Sequence, residues 1–222
     1  MRDALHVTAD DADATDDAIP DSREVGITGV VLAGGLSTRL GHDKAVIRLH
    51  GEQGPDLLVR TAALLEPLVD EVWISCRPGR CVTGPYLRIY DEVQGLGPFG
   101  GVMTALRAAQ GPVLVLSCDL PFMERTLLER LLERRGARHP EALMTTFRQE
   151  ETGFIESLVA VYEYACLPFF EDALTDGVHK LSRVIPAERR EDIVYTQNEA
   201  LPFFNVNYPA DLEMARRIIG AL

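Results

Sequence analysis

The residues that could do chemistry are concentrated early in the chain, in Gly29-Val30-Val31-Leu32-Ala33-Gly34-Gly35-Leu36-Ser37-Thr38-Arg39-Leu40-Gly41-His42-Asp43-Lys44. A β-branched run reads as a buried strand and opens into a loop with glycines at 34, 35 and 41. Glycine permits φ > 0 and close approach of a ligand to the main chain. Consecutive N–H groups in such a loop can line one concavity that favours an anion. Arg39 and Lys44 add two cations, so the glycine loop with Arg39 and Lys44 suits a triphosphate. The loop is not a Walker A motif, because Gly41 is followed by His42 rather than by Lys-Ser/Thr. The plainer alternative is a strand-to-loop connection with basic residues on its surface.

Two carboxylates and two amides fall at comparable places further on. The wholly apolar run Val113-Leu114-Val115-Leu116 predicts a central strand and ends in Ser117-Cys118-Asp119-Leu120-Pro121. An acid at the carboxyl end of a buried parallel strand lies where open α/β sheets bind ligands. A buried carboxylate needs a partner, and a Mg²⁺ bridging Asp119 to phosphate oxygens would supply one. A turn or capping aspartate before Pro121 is the ordinary alternative. Asp91 and Glu92 end a strand predicted over 87–90. Asn205 and Asn207 alternate along an extended piece, so both amides could face one cleft, although Asn207 also stands where it could cap the last helix.

The elements that must position these groups alternate. Strands are expected over 25–32, 71–75, 87–90, 113–116, 142–147, 155–162 and 192–195. Helices are expected over 56–68, 100–109 and 123–135, with another from Pro168 to Gly177 and a last one after Pro209. This order implies one mostly parallel sheet with helices on both faces. Gly95-Leu96-Gly97-Pro98-Phe99-Gly100 has the formal G-x-G-x-x-G pattern of a dinucleotide site. It follows the third strand rather than the first, and Pro98 stiffens its turn, so the dehydrogenase reading ranks below the phosphate loop at 34–44.

Composition bounds the function. The 222 residues are 46% hydrophobic and 25% charged, as in a soluble globular protein, with no apolar run of membrane-spanning length. The N-terminus lacks a signal-peptide layout, so a cytoplasmic protein is expected. The net charge is −12, yet residues 1–24 hold eight acids against Arg2 and Arg23, and so carry half of it. That Ala/Asp/Thr segment has little to bury and is expected to be a disordered acidic tail, leaving 25–222 as the folded domain. No basic face calls for nucleic acid. Cys76, Cys81, Cys118 and Cys166 form no metal-binding spacing and are expected to be reduced and mostly buried.

Leu32-Ala33-Gly34-Gly35-Leu36-Ser37-Thr38-Arg39-Leu40-Gly41-His42-Asp43-Lys44 resembles the Leu-Ala-Gly-Gly-x-Ser-x-Arg-Met-Gly-x-Asp-Lys signature of molybdenum cofactor guanylyltransferases. The likeness extends to Gly97-Pro98-Phe99-Gly100-Gly101, Cys118-Asp119-Leu120-Pro121 and Phe203-Phe204-Asn205-Val206-Asn207-Tyr208-Pro209. It covers residues 26 to about 215 in order. The resemblance implies a single Rossmann-like domain of the nucleotidyltransferase fold. It implies transfer of GMP from GTP to molybdopterin with Mg²⁺ and release of pyrophosphate. Its partners would be GTP, molybdopterin and molybdoenzymes or other cofactor-biosynthesis proteins, with no nucleic acid and no membrane.

By the same resemblance, Arg39, Lys44 and Asp119 are catalytic and Asp119 holds the metal. Leu32, Ala33, Gly34, Gly35, Lys44, Asp91 and Asp119 bind the nucleotide, and Asn205 and Asn207 face the acceptor. The chain departs from the pattern at Cys76-Arg77, where the family often has Asn-Arg, so discrimination of the base is expected to lean on Asp91, with Glu92 as fallback, and on main-chain groups of Leu32 and Ala33. The strand at 155–162 is expected to line the acceptor side; within it Glu156-Ser157-Leu158 stands where the family often has Pro-Leu or Glu-Pro-Leu, and no role is assigned to Ser157. The rivals are a cytidylyltransferase or sugar-phosphate nucleotidyltransferase, and a non-catalytic nucleotide-binding accessory protein. Asp43-Lys44 argues against the first, and Arg39, Lys44 and Asp119 together argue against the second.

Overall fold

The computed structural model describes residues 26–33, 46–49, 51, 54–77, 85–93 and 95–221. Gly34, Gly35, Arg39 and Lys44 lie outside the described residues, as do the acidic tail and Cys81.

Short apolar runs form the strands, and they join in one sheet of order β3-β2-β1-β4-β6-β5-β7. These are β1 (Thr28–Leu32), β2 (Glu71–Cys76), β3 (Leu87–Tyr90), β4 (Val113–Ser117), β5 (Met144–Gln149), β6 (Ile155–Tyr162) and β7 (Arg190–Tyr195). The expected sheet is found, with one strand reversed: β6 runs antiparallel to both β4 and β5, and every other pairing is parallel. The cause is local. Residues 150–154 join β5 to β6 in a tight turn with Gly153 at φ 69°, and so short a connection returns the chain antiparallel. All five residues of β4 are buried, as a strand covered on both faces requires.

Helices cover both faces. α1 (Leu57–Leu65) and α3 (Arg125–Gly136) pack on Val31, Ile74, Leu114, Leu116 and Phe147. α2 (Pro98–Ala109) and α4 (Leu167–Thr175) pack on Val30, Val113 and Val115, with Phe99 and Phe170 in ring contact at 5.2 Å. α2 starts two residues before its expected beginning because Pro98, whose φ already suits a helix, occupies its first turn. Gly97 before it sits at φ 58°, a conformation that a side chain would resist. α1 is shorter than expected: Asp56 caps it by accepting from the Val59 N–H at 2.8 Å, and residues 66–68 turn away toward β2.

The last helix, α5 (Pro209–Ile219), builds a small cluster of its own. Ala215 is buried there with Ile47, Leu49, Leu57, Phe122 and Val206. This cluster draws together three segments from the carboxyl edge of the sheet: 46–49, the stretch after β4, and 205–207. Away from that edge, Arg135 of α3 makes a two-pronged ion pair with Glu163 at 2.7 and 2.9 Å, both side chains under a tenth exposed. Among the described residues no helix is long and apolar enough to cross a membrane.

Candidate active site

Register fixes which side chains meet at the carboxyl edge. Leu32 at the end of β1 pairs with Ser75 on β2 and with Ser117 on β4. Ser75 in turn pairs with Ile89 on β3. Side chains of register partners point to one face, so Ile89, Ser75, Leu32 and Ser117 form a row on the side covered by α2. The next row, Cys76, Ala33 and Cys118, points into the core under α1 and α3.

The two serines in the first row are buried and each engages an aspartate. The Ser75 hydroxyl donates to Asp91 Oδ1 at 3.1 Å, and the Ser117 hydroxyl donates to Asp119 Oδ1 at 2.6 Å. The end of β1, from which the glycine-rich loop departs in sequence, is thus flanked by two Ser–Asp pairs. Burial pushes the Asp91 carboxyl above the usual carboxylate range, while the Ser75 hydrogen bond and the charge of Arg77 pull it back.

Asp119 is therefore not the unpartnered carboxylate that the sequence suggested; Ser117 holds it. One half-buried carboxylate is a donor set suited to Mg²⁺ delivered on a nucleotide, since that ion keeps several waters and takes one or two carboxylates plus phosphate oxygens. Among the described residues there is no cluster of three or more His, Cys, Asp or Glu that could form a dedicated metal cage.

The other expected contacts are partly rearranged. The Ala33 N–H donates to the Ser75 carbonyl at 2.9 Å, and the Leu32 carbonyl accepts from the Cys118 N–H at 3.3 Å, so these two groups serve the sheet. Glu92 is turned away: it is exposed, accepts from Arg107 at 2.7 Å and donates its own N–H to Thr104 Oγ1 at 3.1 Å. Arg107 also reaches Glu171 at 3.0 Å. Cys76 is fully buried on the face opposite Asp91, and burial pushes its thiol up. Cys118 and Cys166 are buried too, and all three are free thiols.

Asn205 and Asn207 flank the buried Val206, as alternation predicts, and both are exposed. The Val206 N–H donates to the Asp119 carbonyl at 3.0 Å, which anchors the strip beside β4. Asn205 lines a cleft of about 250 Å³ and gives its amide N–H to the Phe203 carbonyl at 3.2 Å. Asn207 is not what caps α5. Tyr208 is the cap position, and the Asp211 carboxylate accepts from the N–H groups of both Asn207 and Tyr208 at 2.8 Å.

The first half of β6 lines this cleft too, while the sequence reading did not place Phe99, Phe154, His179 or Lys180 there. Phe99, Phe154, Glu156, His179 and Lys180 line it together with Asn205. Phe154 is 55% exposed at its wall, and the His179 ring lies 5.4 Å from that of Phe99. Glu156 accepts from the Tyr195 hydroxyl at 2.5 Å, and Tyr195 is backed by Phe203 at 4.4 Å. Burial pushes the Glu156 carboxyl up, and the tyrosine hydrogen bond opposes that shift. Phe154 was the available signal, an aromatic residue at the tip of a tight hairpin where nothing in the core needs it.

The two Ser–Asp pairs stand at the carboxyl edge of an open α/β sheet, which is where such sheets bind their ligands. The comparisons with known proteins narrow this. The chain belongs to the family of the MobA-like NTP transferase domain, whose model matches residues 29–193, and is a nucleotidyltransferase. A probable molybdenum cofactor guanylyltransferase of Chloroflexus aggregans is 33% identical over 87% of this chain and 95% of its own. The molybdenum cofactor guanylyltransferase of Pseudomonas fluorescens is 32% identical over 81% of this chain and 88% of its own. Among solved structures, molybdopterin-guanine dinucleotide biosynthesis protein A of Archaeoglobus fulgidus superposes with a TM-score of 0.68 at 24% identity, over 88% of this chain and all of that one. The 2-C-methyl-D-erythritol 4-phosphate cytidylyltransferase of Thermus thermophilus shares the fold at a TM-score of 0.61 and 20% identity, over 86% of this chain and 98% of its own.

Proposed function

We propose that the protein transfers GMP from GTP to molybdopterin. A terminal phosphate oxygen of molybdopterin attacks the α-phosphorus of GTP, the bond from that phosphorus to the bridging oxygen breaks, and pyrophosphate leaves. The observation that carries this reading is the pair of aspartates held by serines on either side of the end of β1. One stands toward the sheet edge, where a base can be read, and the other toward the acceptor cleft. The names of the relatives above support the same donor and acceptor. Such a transfer needs positioning and charge neutralisation rather than a covalent nucleophile.

In this reading Arg39 and Lys44 neutralise the triphosphate, with the backbone of Gly34 and Gly35 around it. Asp91 reads guanine. Asp119 would hold Mg²⁺, which when bound supplies charge neutralisation at the phosphates. Asn205 and Asn207 border the acceptor. The cleft beside them suits a flat heterocycle carrying a phosphate: Lys180 offers a cation and the exposed face of Phe154 a stacking platform. Phe154→Ala is expected to raise KM for molybdopterin about tenfold, the loss of one stacking contact worth ~1–1.5 kcal/mol, with kcat and KM for GTP near their original values. Steady-state kinetics with each substrate varied in turn checks this.

Lys44→Ala is expected to lower kcat by about 10²–10³, or ~3–4 kcal/mol, the usual cost of losing one preorganised charge contact to a transition state. Circular dichroism should show the fold intact. Unchanged turnover at saturating GTP would remove the loop from the mechanism. The overall assignment is tested by pyrophosphate release with molybdopterin and each of the four nucleoside triphosphates.

A further inference from the structure

We propose that Ser75 is a positioning residue for base recognition: its hydroxyl fixes the plane of the Asp91 carboxylate, so that the base meets a preset acceptor. The inference rests on the reading of Asp91 as the guanine contact.

Ser75 is the only polar residue in the stretch Val72-Trp73-Ile74-Ser75-Cys76, and it is 2% exposed. A buried hydroxyl needs a partner, and here it has a carboxylate. The Ser75 hydroxyl donates to Asp91 Oδ1 at 3.1 Å on the side of β3. The Ser75 carbonyl accepts from the Ala33 N–H at 2.9 Å on the side of β1. Asp91 follows the last residue of an edge strand, where little else in the sheet determines its orientation.

The first turn of α2 closes the arrangement. A Cβ on Gly101 would lie 2.8 Å from Ser75 Oγ and 3.0 Å from Leu32 Cδ2, and 3.5 Å from Asp91 Oδ1. A Cβ on Gly100 would lie 3.9 Å from Asp91 Oδ2. Only a glycine at 101 lets the helix press this closely on the serine–aspartate pair. Each carboxylate oxygen has two acceptor sites, so the serine occupies one of about four and leaves both oxygens able to accept from a base. A carboxylate that must accept from two adjacent N–H donors at once gains from having its plane fixed beforehand. Cys76 cannot share this task, because alternation sends its side chain to the opposite face.

The experiment compares kcat/KM for GTP and for inosine triphosphate, which lacks the guanine 2-amino group, in wild type, Ser75→Ala, Asp91→Asn and the double variant. The ratio of the two constants does not depend on the fraction of active enzyme, so partial misfolding leaves it readable. Ser75→Ala is expected to shrink the ratio about five- to tenfold through KM for GTP, the scale of one ordinary hydrogen bond, because the carboxylate itself remains and loses only its fixed plane. In the Asp91→Asn background the same change should have no further effect on the ratio, since the serine acts through the aspartate. Gly101→Ala, which crowds Ser75 Oγ without removing it, should reproduce the Ser75→Ala ratio. If Asp91→Asn shrinks the ratio and Ser75→Ala leaves it at the wild-type value, the role given to Ser75 is overturned while the role of Asp91 stands. If Asp91→Asn itself leaves the ratio unchanged, both fall.

Discussion

Asp119→Asn should remove Mg²⁺-dependent turnover while leaving the folded protein in place. The carboxylate follows a fully buried strand, and its position is set twice over. The Ser117 hydroxyl donates to its side chain at 2.6 Å, and its carbonyl accepts from the Val206 N–H at 3.0 Å. An asparagine can keep both bonds, since its amide oxygen still accepts from Ser117 and the backbone is untouched. The variant therefore differs in charge and in one oxygen, not in shape. An interior stripped of charge would be expected to gain stability only if the carboxylate had no partner, and here it has one. The melting temperature should move by no more than about 2 °C, the scale of a substitution within ±0.5 kcal/mol in a chain of this size.

The loss of activity is set by a different quantity. In phosphoryl and nucleotidyl transfer the protein's work is neutralising and aligning charge, and in the proposed role Asp119 would be an anionic ligand whose removal forfeits several kcal/mol of transition-state stabilisation. A fall in kcat of about 10³ or more, ~4 kcal/mol, is the expected size. A Mg²⁺ titration of turnover beside a thermal melt separates the outcomes. Activity that falls only in proportion to the folded fraction would make Asp119 a structural residue.

Much of this architecture was legible in the sequence because the strands are bounded by unmistakable punctuation. β6 was read to the residue, between Gly153 and Glu163, and β4 lacked only its terminal serine. The direction of β6 was not legible from its apolar pattern, because a strand buried on both faces looks the same whichever way it runs. The five residues between β5 and β6 carried that information, through their brevity. Helix starts were misplaced for a similar reason. Pro98 reads as a breaker when it is met after Gly97, yet it is a favourable first residue for α2.

Of the candidate site, what was legible is the placement of Asp91 and Asp119 just beyond the ends of β3 and β4. The site was not legible where the function of a side chain depends on a neighbour distant in sequence. Ser75 and Ser117 looked like polar termini of apolar strands, and only the register across β1 shows them as a matched pair of donors to the two aspartates. The cleft was harder still: Phe154 and Glu156 come from the hairpin into β6, His179 and Lys180 from the segment after α4, and Asn205 from the strip before α5. No short motif joins them. The last helix takes Tyr208 rather than Asn207 as its cap position, and Asp211, one turn on, accepts from the N–H groups of both.

The wild-type enzyme should rank nucleotides by what they present to Asp91. Guanine offers N1–H and the 2-amino group side by side, and a carboxylate accepts from both at once. Inosine triphosphate keeps the first donor and lacks the second, so it should lose about 1–3 kcal/mol in kcat/KM, the cost of one unsatisfied buried partner. ATP presents an acceptor at N1 against the carboxylate, so repulsion replaces a hydrogen bond, and rejection by roughly 10⁴ or more is expected. The environment of Asp91 sharpens the discrimination: burial makes an unmatched carboxylate costly here, while Ser75 and Arg77 keep the charged form accessible. Asp91→Asn replaces one acceptor with an N–H₂ group that faces the guanine donors, so it should compress the gap between GTP and inosine triphosphate and weaken the rejection of ATP. Measuring kcat/KM for GTP, inosine triphosphate, CTP and ATP in both proteins decides among the readings. A wild-type preference for CTP would overturn the guanylyl assignment and favour the cytidylyl alternative that shares this fold. A GTP-to-inosine ratio that survives Asp91→Asn would leave the assignment standing and move base recognition to main-chain groups at the end of β1.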